Sequence, residues 1–164
     1  MRRWALLAAG ILVLSLGAWV VGVSADTTVL TAGLNGQKEV SSTTGEKGVG
    51  DLDGRGKAEV RIQVARQRAC FDLSWSNIAA PSMAHIHDGN ADTAGPIVVT
   101  LFMTGDETAP GDQDLPDTLS GVSGCATGVD KTLLREINDN PREFYVNIHN
   151  NDFPAGAIRG QLRR

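Results

Sequence analysis

Apolar and polar residues alternate along much of this chain, most cleanly at Ala58, Val60, Ile62 and Val64, with Glu59, Arg61 and Gln63 between them. Successive side chains of a strand point to opposite faces, so this is a strand with one buried side. After the polar turn Arg66-Gln67-Arg68 the pattern resumes. Ala69, Phe71, Leu73 and Trp75 take one face and Cys70, Asp72 and Ser74 the other, which predicts a hairpin. Further strands are predicted at Thr27–Leu34, Met83–His87, Ile97–Met103, Leu119–Ser123, Glu143–His149 and Ala157–Leu162, separated by stretches rich in Gly, Asp, Asn and Pro. Ser41–Gly56 carries five glycines and reads as a flexible loop. One departure from the period of two is helical. Asp130 can cap a segment in which Leu133, Leu134 and Ile137 share a face, before Asn138 and Pro141 stop it. The sum is an all-β domain, a Greek-key sandwich or barrel, with one short helix closing an end of the core.

The N-terminus stands apart from that pattern. Arg2 and Arg3 precede an apolar run from Trp4 to Val23, followed by Ser24-Ala25. Residues 1–25 therefore read as a secretory signal peptide cleaved after Ala25. The run is also long enough to span a bilayer, so an uncleaved anchor is the rival reading and the only expected membrane contact. Either way residues 26–164 are expected outside the cytoplasm, secreted or periplasmic. That length suits one domain.

Charge narrows the partners. Without Arg2 and Arg3 the chain has 13 basic residues against 19 acidic. Nucleic acid is excluded as a partner on this balance, and the sequence names no protein partner. The stretch from Asp88 to Asp130 holds eight acidic residues and no Lys or Arg, and reads as an acidic surface loop. Asp88-x-Asn90-x-Asp92 opens like a calcium loop, but Thr93 stands where glycine is needed and Val99 where the closing Glu belongs. It is not an EF-hand. The only two cysteines, Cys70 and Cys125, have a forced pairing in an exported chain. A disulfide closing that loop stabilises by roughly 4 kcal/mol on the chain-entropy model.

The candidate chemistry lies in the three histidines. His85 and His87 flank Ile86, while Phe144, Val146 and Ile148 share one face of the later strand. If the apolar residues take the core, His85 and His87 face outward, as does His149 with Tyr145 and Asn147. Should the two strands be neighbours, three imidazoles converge on the outer side of the sheet or its rim. Such a nitrogen site suits copper, or less readily zinc, and leaves a position open. Asp88, Tyr145 and Asn147 are near enough in sequence to orient the rings.

Three landmarks give the chain a family likeness. They are Leu30-Thr-Ala-Gly-Leu-Asn-Gly-Gln-Lys-Glu-Val40, then Ala84-His-Ile-His-Asp-Gly89 with Gly95-Pro-Ile-Val-Val99, then Phe144-Tyr-Val-Asn-Ile-His149 with Pro154-Ala-Gly-Ala-Ile-Arg-Gly-Gln-Leu162. In these the chain resembles the chordin-type, or CHRD, domain family over residues 26–164. The resemblance implies an extracytoplasmic β-sandwich or barrel domain. Ala157, where the family often has Glu, and Asn150-Asn151-Asp152-Phe153, where a Thr-containing turn is usual, depart from it. A fainter likeness joins His85-Ile-His87-Asp88 and Thr93-Ala-Gly95 to the copper strand of copper/zinc superoxide dismutases. It implies His85, His87 and His149 as copper ligands and Arg159 as a loose candidate for an anion-guiding arginine. No fourth histidine and no zinc loop accompany them. The readings ordered by these residues are a secreted copper- or zinc-binding CHRD protein, a dismutase-type oxidoreductase, and a metal-free adhesion or envelope module.

Overall fold

A computed structural model describes residues 27–105 and 118–164. The predicted signal segment, and Asp106, Glu107, Asp112, Asp114 and Asp117 of the acidic loop, lie outside the described residues. Among the described residues no helix is long and apolar enough to cross a membrane.

The strands are β1 (Thr27–Asn35), β2 (Arg55–Gln63), β3 (Arg68–Ser76), β4 (Pro81–Asp88), β5 (Ile97–Met103), β6 (Gly121–Thr127), β7 (Phe144–Asn150) and β8 (Ile158–Gln161), with a single helix, α1 (Lys131–Asp139). They form one eight-stranded sheet in the order β5-β4-β7-β8-β1-β2-β3-β6, every pairing antiparallel. The end strands β5 and β6 approach one another, so the sheet curls into a nearly closed barrel. This is the all-β architecture that the alternation predicts.

The apolar stripes close on one core. Leu30, Val60, Phe71, Ile86, Leu101, Val146, Ile148 and Ile158 are wholly buried within it. The helix seals an end as expected: the Asp130 carboxylate accepts from the backbone N–H of Thr132 (2.7 Å) and Leu133 (3.1 Å), and Leu134 and Ile137 are buried. Cys70 faces Cys125 across β3 and β6, and the two are joined by a disulfide.

Two sequence readings shift. The sixth strand starts two residues later than Leu119 and runs on to Thr127, because Gly124 lacks a side chain where the Phe71 ring packs: a Cβ there would lie 2.9 Å from Phe71 Cζ. The glycine-rich segment after β1 is tied down, with Val40 bridging Lys47 and the Asp51 N–H donating to Ala157 O (2.8 Å), and its last two residues belong to β2.

Candidate metal centre

The site rests on the pairing of β4 with β7. In their register Met83 lies opposite His149, His85 opposite Asn147 and His87 opposite Tyr145. Directly paired residues of an antiparallel ladder project from the same face. Ala84 and Ile86 of β4, and Phe144, Val146 and Ile148 of β7, take the core side. The three histidines are left on the other face, and they meet there. Ring centroids are 5.0 Å apart for His85 and His149, 5.6 Å for His85 and His87, and 6.3 Å for His87 and His149.

That outer face is not a solvent face. His85 is 1 %, His87 8 % and His149 6 % exposed. The segment between β4 and β5 and the one between β7 and β8 fold over the rings and supply their hydrogen bonds. His87 Nδ1–H donates to Gly95 O (2.8 Å) and His149 Nδ1–H to Pro154 O (3.0 Å). A backbone carbonyl can only accept, so each of these rings holds its proton on Nδ1 and offers Nε2. Alternation along the strands reveals the face and says nothing of what covers it.

The offered nitrogens are short of partners. His87 Nε2 is buried with no hydrogen-bond partner. His149 Nε2 lies 3.1 Å from His85 Nδ1 and 3.0 Å from Asn147 Oδ1. An Nε2 lone pair facing an amide oxygen is repulsive, so this contact requires either the amide NH2 turned inward or a cation between them. Imidazolium is disfavoured here. Burial lowers the proton affinity of all three rings, and for His85, crowded also by His149 and His87, it falls to a pKa of about 3. Neutral rings are the form that binds metal.

Each histidine offers one nitrogen within 4.8 Å of the other two. Nitrogens bonded at ~2.0 Å in a tetrahedral site sit about 3.3 Å apart, so the rings close on an ion with a small side-chain adjustment.

The remaining candidates take different places. Tyr145 stacks on His87, with centroids 4.7 Å apart and planes 10° from parallel, and its hydroxyl accepts from the Gly95 N–H (3.2 Å). Arg159, on β8 opposite Asn147, lies with Cζ 3.5 Å over the Tyr145 ring. Its guanidinium donates to Asn90 O and Thr93 O, both at 3.0 Å. The turn that opens like a calcium loop thus holds an arginine as its cation. Asp88 is exposed and makes no hydrogen bond to a ring, and the orienting work falls to the backbone of Gly95 and Pro154.

Glu39 escapes a sequence reading. It is 3 % exposed, its Oε1 has no hydrogen-bond partner, and burial raises its pKa to about 8. Bare glycines make room for it, since a Cβ on Gly156 would lie 2.6 Å from Oε1 and one on Gly50 2.6 Å from Cγ. The signal is a charged residue followed by Val40 in a stretch with glycines on both sides.

Comparison with known proteins agrees with the landmarks. A family model described as the CHRD domain matches residues 30–162. The chain belongs to the CHRD family. No curated protein and no solved structure matches it. All three histidines of the CHRD domain, together with Tyr145, Asn147, Arg159 and Glu39, fall inside the matched span.

Proposed function

We propose that this CHRD domain is an exported metal-binding protein that takes up copper, or less readily zinc, through His85, His87 and His149. The observation that carries the reading is His87 Nε2, a buried acceptor without a partner beside two other neutral imidazoles. Leaving such a group unpaired costs about 1–3 kcal/mol, and a coordinated ion removes that cost. Soft nitrogen donors favour copper and zinc over magnesium or calcium. The disulfide suits an oxidising compartment, as export through the N-terminal segment requires.

A metal-free module is the second reading, favoured by the His85 to His149 hydrogen bond, which satisfies two of the rings without an ion. Arg159 does not support a dismutase. Its guanidinium is committed to two carbonyls and an aromatic face, and at 1 % exposure it presents no free cation to an incoming anion.

Dialysis after incubation with Cu(II) or Zn(II), followed by metal analysis, separates the readings. The protein should retain about one ion per chain, and His85→Ala, His87→Ala and His149→Ala should each lose it while keeping the circular dichroism of the parent. Equal retention in parent and variants would refute the shared site.

A further inference from the structure

A cavity of about 700 Å³ opens beside β1 and β8, with Arg159 in its lining. We propose that it is a binding site for a phosphate or sulfate ester about the size of a sugar phosphate. The proposal does not depend on the metal.

The first ground is charge. Lys38, Lys47, Arg142, Arg159 and Arg163 line the cavity, with Asp92 its one acidic residue. Asp92 is paired with Lys47 and also faces the charge of Arg159, which Glu39 feels as well, so the unbalanced cations of the wall are Lys38, Arg142 and Arg163. This concentration occurs in a chain whose formal net charge is −4. Cations crowded together repel, and the Lys38 ammonium shows it, its proton affinity lowered by burial and then by the charge on Arg163. A multiply charged anion among them relieves that repulsion.

The second ground is free donors. Lys38 Nζ spends one hydrogen bond on Gly33 O (2.5 Å), and Arg159 is engaged as described above. The guanidinium groups of Arg142 and Arg163 have no acceptor among the described residues. An arginine fork matches two oxygens of a tetrahedral oxyanion, and two such forks with a lysine suit a phosphoryl or sulfuryl group better than a single carboxylate.

The third ground is shape. Gly33 and Gly160 are glycines of the lining, and a Cβ on Gly33 would meet nothing within 4 Å. The strand therefore leaves open space at position 33, on the lining of the cavity. Gln161, beside Gly33 on the neighbouring strand, is held in the lining by its Nε2, which donates to Gly89 O (2.6 Å) and Arg142 O (2.8 Å). The volume falls in the range of small-molecule sites, well beyond what a bare ion fills.

The test is calorimetric titration of the full chain with glucose 6-phosphate, glucose 6-sulfate, inorganic phosphate and glucose. At least one ester should bind, and more tightly than inorganic phosphate, while glucose gives no heat. The ester preferred tells phosphoryl from sulfuryl recognition. Arg142→Ser with Arg163→Ser should weaken binding at least tenfold. Gly33→Leu should abolish it with every charge in place, while leaving the thermal melt and copper retention of the parent. The proposal is overturned if neither ester binds, if glucose binds equally, or if binding survives Gly33→Leu.

Discussion

At the scale of single residues, two kinds of buried titratable group pull stability in opposite directions with pH. The histidines have proton affinities below that of a free imidazole. The unfolded chain binds their protons first, so their contribution is present above pH ~6.5 and is lost as pH falls through the folded pKa, about 3 for His85. Glu39 behaves in reverse. Its pKa is raised from 4.5 to about 8, so its stability is present below pH 4.5 and is lost as pH rises through 8. Glu39→Gln keeps the shape of the neutral acid and cannot ionise. It should be more stable than the parent at pH 9, by a few kcal/mol at most, and the gap should close at pH 4.5. Calorimetric melts across that range decide the matter. A parent and variant that differ by the same amount at every pH would show that Glu39 ionises in the fold as readily as in the unfolded chain.

At the scale of elements, the candidate metal centre depends on the segment joining β4 to β5 as much as on the strands. Gly95 is its hinge point. Its carbonyl orients His87, its N–H meets the Tyr145 hydroxyl, and a Cβ on it would lie 1.5 Å from Asp88 O. Gly95→Ala must therefore move backbone and withdraw the carbonyl from His87. Loss of such an orienting partner typically weakens metal binding 10- to 100-fold, and isothermal titration with Cu(II) should show a loss in that range although every ligand is retained. Unchanged affinity would mean that the segment covers the site without organising it.

The elements also show what the sequence could and could not reveal. The strand at Ile97–Met103 was legible to its ends, and the helix was legible from its Asp130 cap. The sixth strand was blurred because Gly124, Cys125 and Ala126 are small residues that carry no apolar alternation, and Gly124 is set by the Phe71 ring across the sheet. The meeting of the histidines followed from alternation once β4 and β7 were neighbours. Their burial, and the choice of Gly95 and Pro154 as orienting partners, did not follow. Backbone carbonyls leave no mark in a sequence, whereas the side chain of Asp88, which does, turns to solvent.

At the scale of the whole molecule, the sheet order puts the covalent link and the candidate centre on different strand pairs. The disulfide fastens β3 to β6 at one end of the sheet, and the histidines lie on β4 and β7 towards the other. Closing a 55-residue separation restrains the unfolded chain by roughly 4 kcal/mol, and this leaves the β4 and β7 face free to carry polar groups that add little to the core. Buried polar groups without partners are an expense for a small domain, and here His87 Nε2 and Glu39 Oε1 both lie on the layer outside the barrel core. The proposed metal site gives the first of them a partner.

X-ray absorption at the copper edge, on protein loaded with copper and dialysed, probes that chemistry most directly. The account predicts three imidazole nitrogens at ~2.0 Å in the parent and a first shell with fewer imidazoles in His149→Ala. A copper shell without imidazole scattering, or one identical in parent and variant, would contradict it.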